Sequence, residues 1–186
     1  MSRQINTFEN PERFIVGTVG QPGERIFYLQ VKSQMSVFSV ALEKTQVSLL
    51  CERLDALLDQ IKQSDLGATV EIPDTWQQAE IDLLPLETPV NEEFRVGTIA
   101  IGFNSNKGLV TIEAHQDNGS REVPDLEVDD LDGPNLLRVR VSPIYARNFA
   151  ERGRRLVAAG RPPCPFCQLP LDPFGHICPR ANGYRR

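Results

Sequence analysis

Long apolar runs are missing from this chain of 186 residues. No stretch approaches the roughly 18 residues that mark a membrane-spanning helix, so no membrane role is expected. Residues Met1 to Asn10 contain no apolar core segment. A secretory signal is therefore not expected, and the expected compartment is the cytoplasm. Histidine is scarce, with His115 and His176 only, and cysteine stops at four. That disfavours a disulfide-stapled extracellular scaffold. It also leaves few groups able to act as base or nucleophile near neutral pH. Between residues 65 and 93 there is no Lys or Arg at all.

What is present is unevenly placed. The formal net charge is −5, yet the segment from Arg147 onward carries eight basic residues against Glu151 and Asp172, or +6. The first 146 residues then hold 12 basic and 23 acidic side chains, or −11. An acidic body is a poor surface for nucleic acid. The basic end could bind phosphates, or it could dock on the acidic body of its own chain.

The chemistry lies in the tail. Cys164-Pro165-Phe166-Cys167 is followed eight residues later by His176-Ile177-Cys178. Zinc takes four sulfur or nitrogen ligands in a tetrahedron, and Cys-x2-Cys is the usual first half of such a site. His176 and Cys178 stand two apart, a spacing that turns both toward one side of an extended segment. The intervening prolines and glycine allow the chain to fold back. Cys164, Cys167, His176 and Cys178 are thus candidate ligands of a structural Zn²⁺. A disulfide is disfavoured by the odd number of nearby thiols. A redox or regulatory thiol pair and chance clustering are the remaining rivals. Four protein ligands close the coordination shell, so a catalytic zinc is not expected.

Along the chain, residues 1–12 read as an irregular lead-in. Strands are expected at 14–19, 26–32 and 37–42, paired as an antiparallel meander. A helix should follow to about residue 63, capped by Thr45. Its buried stripe is Val47, Leu50, Cys51, Leu54, Leu58 and Ile61, and Cys51 reads as a small core residue. Residues 65–93 hold eight acids, three prolines and the sole tryptophan, Trp76. They read as a surface linker pinned by Trp76, or as an acidic strip that binds a partner. Further strands are expected at 94–103, 109–114 and 137–141, with an acidic insertion at 118–134. His115 reads as an edge or turn residue. Ser142 and Pro143 should open a second helix as N-cap and first position, with Gly160 as its C-cap.

Phe94-Arg95-Val96-Gly97-Thr98 echoes Phe14-Ile15-Val16-Gly17-Thr18. With the shared order of elements, it suggests duplication. The expected fold is α+β: two β-β-β-α repeat units of antiparallel sheet with helices packed on it, plus a C-terminal zinc knuckle. The expected boundaries are 1–64, an acidic linker at 65–93, 94–160 and a tail at 161–186.

The tail, the stretch Ala41-Leu42-Glu43-Lys44 and the stretch from Val157 to Pro162 resemble a bacterial repeat-protein family, mostly actinobacterial. It is a domain-of-unknown-function family with a CPxC…HxCP tail. The resemblance extends over essentially the whole chain. It implies an internal repeat and a bacterial cytosolic origin, and it supplies no catalytic residues. The stretch Phe27-Tyr28-Leu29-Gln30-Val31-Lys32 is also similar to strands of the PUR and Whirly single-strand-binding repeats. Those have four strands per unit rather than three, and this body is acidic.

Three classes of function follow, in descending order of support: a non-enzymatic module that docks a protein partner, a nucleic-acid binder using the basic last helix and knuckle, and an enzyme. No catalytic residue and no organic cofactor site is assigned.

Overall fold

A computed structural model describes residues 3–65, 70–130, 132–160, 164–169, 171 and 176–181. The described chain is a mixed α+β protein with one seven-stranded sheet and two helices. The elements run β1 (Ile5–Glu9), β2 (Arg13–Val19), β3 (Ile26–Ser33), β4 (Ser36–Leu42), α1 (Lys44–Gln63), β5 (Glu92–Asn104), β6 (Leu109–Gln116), β7 (Leu136–Val141) and α2 (Pro143–Ala158). The strand order is β1-β7-β6-β5-β4-β3-β2. Strands β2–β4 form one antiparallel meander and β5–β7 another. They join where β4 pairs with β5 in parallel, and a parallel join requires the long crossover that α1 and residues 64–91 supply.

The lead-in is not irregular. Residues 5–9 pair in parallel with β7 and extend the sheet by one strand. The polar sequence Ile-Asn-Thr-Phe-Glu hides this, because an outermost strand half open to water needs no continuous apolar face. The N-cap of α1 is Glu43, not Thr45. Gln46, three residues on, accepts the Glu43 N–H at 2.7 Å, so the reciprocal capping pair sets the start. Ser142 and Pro143 do open α2, with the Ser142 hydroxyl accepting from Tyr145 N–H. The C-cap of α2 is Ala159 rather than Gly160, its N–H bonding Arg155 C=O.

Both helices pack on one face of the sheet. The stripe Val47, Leu50, Cys51, Leu54, Leu58 and Ile61 is buried, as its spacing predicts, against Phe14, Leu29, Val40, Val110 and Val139. Phe14 and Phe149 stack with ring centroids 4.6 Å apart. Where α1 meets α2, Gly153 allows close approach. A Cβ there would run into Cys51 Sγ, with Val16 and Val47 also in contact range. Burial pushes the Cys51 thiol up to about 12, so this cysteine is an inert packing group. Gly153→Ala should lower stability by about 1–3 kcal/mol through overpacking. Urea denaturation should show it, and Cys51→Ala in the same chain should relieve most of the loss.

The acidic segment after α1 is a strap around the outermost strand β2. Trp76 lies under the Arg155 guanidinium at 4.8 Å. Asp82 pairs with Arg13 and Arg152. Leu86 then packs with Ile15, Tyr28 and Ala41 on the far face of the sheet, and Gln30 and Glu87 exchange hydrogen bonds. The unpaired backbone of β2 is satisfied by α2. Phe14 N–H donates to the Tyr145 hydroxyl, which donates in turn to Phe14 C=O, and Arg152 Nε donates to Val16 C=O at 2.7 Å. Among the described residues, no helix is long and apolar enough to cross a membrane.

Candidate metal centre

The turn at Cys164-Pro165-Phe166-Cys167 is closed by two backbone bonds, Gln168 N–H to Cys164 C=O at 2.9 Å and Cys164 N–H to Leu169 C=O at 2.8 Å. Gln168 takes a left-handed backbone conformation to make that closure. The second half, His176 to Cys178, is irregular and is followed by a turn in which Ala181 N–H bonds Cys178 C=O. Arg180 reaches across to Phe166 C=O at 3.2 Å and ties the halves together. Among the described residues, every hydrogen bond of this tail is made within it.

The two halves bring all four predicted ligands together. The ligand atoms of Cys164, Cys167, His176 and Cys178 lie within 4.8 Å of one another. Cys164 Sγ and Cys178 Sγ are 3.8 Å apart, and Cys167 Sγ is 3.1 Å from His176 Nε2. Two sulfurs at about 2.3 Å from one tetrahedral ion stand about 3.8 Å apart, so this sulfur pair has the spacing of two ligands on one ion. His176 Nδ1 is buried without a partner among the described groups, which leaves Nε2 as the nitrogen beside the sulfurs. Burial opposes charge on Cys164, but the amides of Cys167 and Phe166, together with the Cys167 and Cys178 thiols, outweigh it and hold this thiol below its usual range. Burial together with the neighbouring thiols raises Cys167. The four side chains can therefore close around one metal ion.

His115 does not sit at an edge or turn. It is fully buried on β6, which continues to Gln116 because Gln116 N–H bonds Asn135 C=O. Strands β5 and β7 flank it, and Glu127 and Asp129 reach the neighbouring Glu113 and Arg138. Its Nε2 lies 3.3 Å from Glu113 Oε2, and Glu113 Oε1 accepts from Arg138 Nε at 2.5 Å and from Glu127 N–H at 3.0 Å. Burial would raise the Glu113 carboxyl, but His115, Arg138 and the Glu127 amide together bring it down to about 2. The sequence reading missed this cluster. Its signal was there: Glu113 and His115 share one face of a strand, and Arg138 is opposite Glu113 in register.

The basic residues of α2 are engaged by the body. Arg147 pairs with Asp55 and Asp59, Arg154 with Asp55 and Glu151, and Arg155 with Glu151. Arg152 donates to Val16, Asp82 and Leu84 carbonyls.

The fold and site define a mixed α+β protein, one seven-stranded sheet with two helices, whose C-terminal Cys3His cluster lies close enough to bind a metal ion. A family model described as "Protein of unknown function (DUF3090)" matches residues 6–178, and the chain belongs to that family. No curated protein matches the chain, and no solved structure does.

Proposed function

We propose that this is a cytoplasmic, bacterial, non-enzymatic protein that holds one structural Zn²⁺ in its C-terminal knuckle and docks a protein partner. One observation carries the metal reading: three sulfurs and one imidazole nitrogen within 4.8 Å of one another. Cys164, Cys167, His176 and Cys178 would hold the ion, which would tie the tail's two halves into one unit. With four protein ligands no coordination position is left for water or substrate, so the role is structural. The engaged arginines of α2 favour a protein partner over nucleic acid, since few of its guanidinium groups are left to meet phosphate. The alternative, nucleic-acid binding through that helix and the knuckle, predicts a gel shift that vanishes with added salt.

The Phe-x-Val-Gly-Thr echo and the recurrence of three strands and a helix support two β-β-β-α units derived by duplication. The strap at 65–93 would join them, and the knuckle would be an appendage to the body.

The test is metal content. Chain purified under reducing conditions, without chelator, should carry one zinc per molecule by plasma mass spectrometry. Acid should release it, because protons compete with the ion for sulfur and imidazole. Metal-free chain, or a Cys164–Cys167 disulfide found in cells, would refute the site. Stoichiometric iron would keep the site and reject zinc.

A further inference from the structure

Strand β5 has 13 residues, but β4 pairs with it only as far as Arg95. From Gly97 to Phe103 the edge that faces away from β6 has no strand partner among the described residues. Alternate N–H and C=O groups of this stretch must point out of that edge. The protein treats its other long open edge differently. The backbone of β2 is taken up by Tyr145 and Arg152. Along β5, among the described residues, only the first positions are served, where Gln46 donates to Val96 and Gly97 carbonyls at 3.1 and 3.0 Å.

Beyond Gln46 the edge forms the floor of a cleft of about 610 Å³, within the range of roughly 300–1,000 Å³ typical of ligand sites. One wall is α1, with Leu49 half exposed and Leu50 buried. The other wall is the stretch 123–126, where Val123 is 58% exposed. A helix wall beside an open strand edge is the geometry in which an extended peptide adds a strand. Arg53 stands four residues after Leu49 on the same helix face, and among the described residues it has no ion-pair partner. The rise from Leu49 to Arg53, four residues or about 6 Å, nearly matches two residues of strand, about 6.6 Å. Asp125 is the opposing charge, on the far wall.

We propose that the free edge of β5, between α1 and residues 123–126, is a strand-addition site for an extended segment of a partner protein. That segment carries an apolar residue against Leu49 and an acidic residue two positions away against Arg53. The proposal names the surface for the protein-interaction reading above and is independent of the metal.

A phage-displayed library of random twelve-residue peptides, panned on the full chain, tests it. Enriched peptides should share apolar-x-acidic spacing. Resynthesised, they should lose at least tenfold in affinity on Leu49→Lys and on Arg53→Glu. N-methylation of alternate peptide amides should weaken them similarly, and bound peptide should slow amide hydrogen exchange within Gly97–Phe103. Leu49 and Arg53 are solvent-facing, so both variants should keep the wild-type thermal transition. Cys167→Ser should bind these peptides as the wild type does, which separates this surface from the knuckle. No enrichment, or enriched peptides indifferent to both α1 substitutions, overturns the proposal. So does concentration-dependent dimerisation abolished by Leu49→Lys, because a second copy of the chain would then be the occupant.

Discussion

Arg138→Met should destabilise the protein by about 3–5 kcal/mol, the usual cost of stripping one partner from a buried ion pair. Glu113 and Arg138 are both at most 2% exposed, and the substitution leaves the Glu113 carboxylate with only the Glu127 amide and His115. Desolvation would then raise its pKa and favour the neutral acid. Glu113→Leu combined with Arg138→Met should recover much of the loss, because the pair together contributes far less than breaking it costs. Urea titrations of the two singles and the double give the coupling directly. If Arg138→Met costs less than about 1 kcal/mol, the pair is not what anchors Glu127 and Asp129 to the sheet.

The same carboxyl sets an acid dependence. Its folded pKa, about 2, is below the ordinary value of 4.5. A depressed carboxyl contributes stability that is fully present above about pH 4.5 and is lost as pH falls toward 2. The size is about 3 kcal/mol by linkage. In Glu113→Gln that contribution is gone at every pH. The stability difference between it and the wild type should therefore shrink as pH is lowered from 5 to 2.5.

Cys167→Ser should abolish stoichiometric metal and open the segment beginning at Cys164 to protease, while the thermal transition of the body moves by only a few degrees. In zinc-finger peptides, structural zinc supplies roughly 10–16 kcal/mol, most of the folding free energy. Here the hydrogen bonds described for the tail are its own. The body has a separate core between the sheet and two helices, so metal loss should be local. Limited trypsin digestion before and after chelation should remove the tail and leave a resistant body. A wild-type body that melts on chelation would instead make the metal part of the global fold.

Local chemistry was legible directly. The period-2 and helical stripes placed β2–β7 and the buried face of α1, because burial on one side imposes those spacings. The closeness of Cys164, Cys167, His176 and Cys178, within 4.8 Å of one another, was legible for the same reason: Cys-x2-Cys and His-x-Cys are each contained in one short segment. Ser142 and Pro143 announced α2 through capping, which is settled within a few residues.

Long-range pairing stayed hidden. Strand β1 exists because β7 offers it an edge 131 residues away, and nothing in a five-residue polar stretch encodes that partner. His115 became a core residue only when β6 took neighbours on both sides. The arginines of α2 read as a charge excess; the fold decided that Asp55, Asp59 and Asp82 would meet them. The open length of β5 arises because a 13-residue strand lies beside a 7-residue one, a mismatch visible only in the register. A side chain's immediate period follows from its neighbours in sequence. The partner that satisfies a backbone edge or a buried charge depends on which distant segment the closed chain brings alongside.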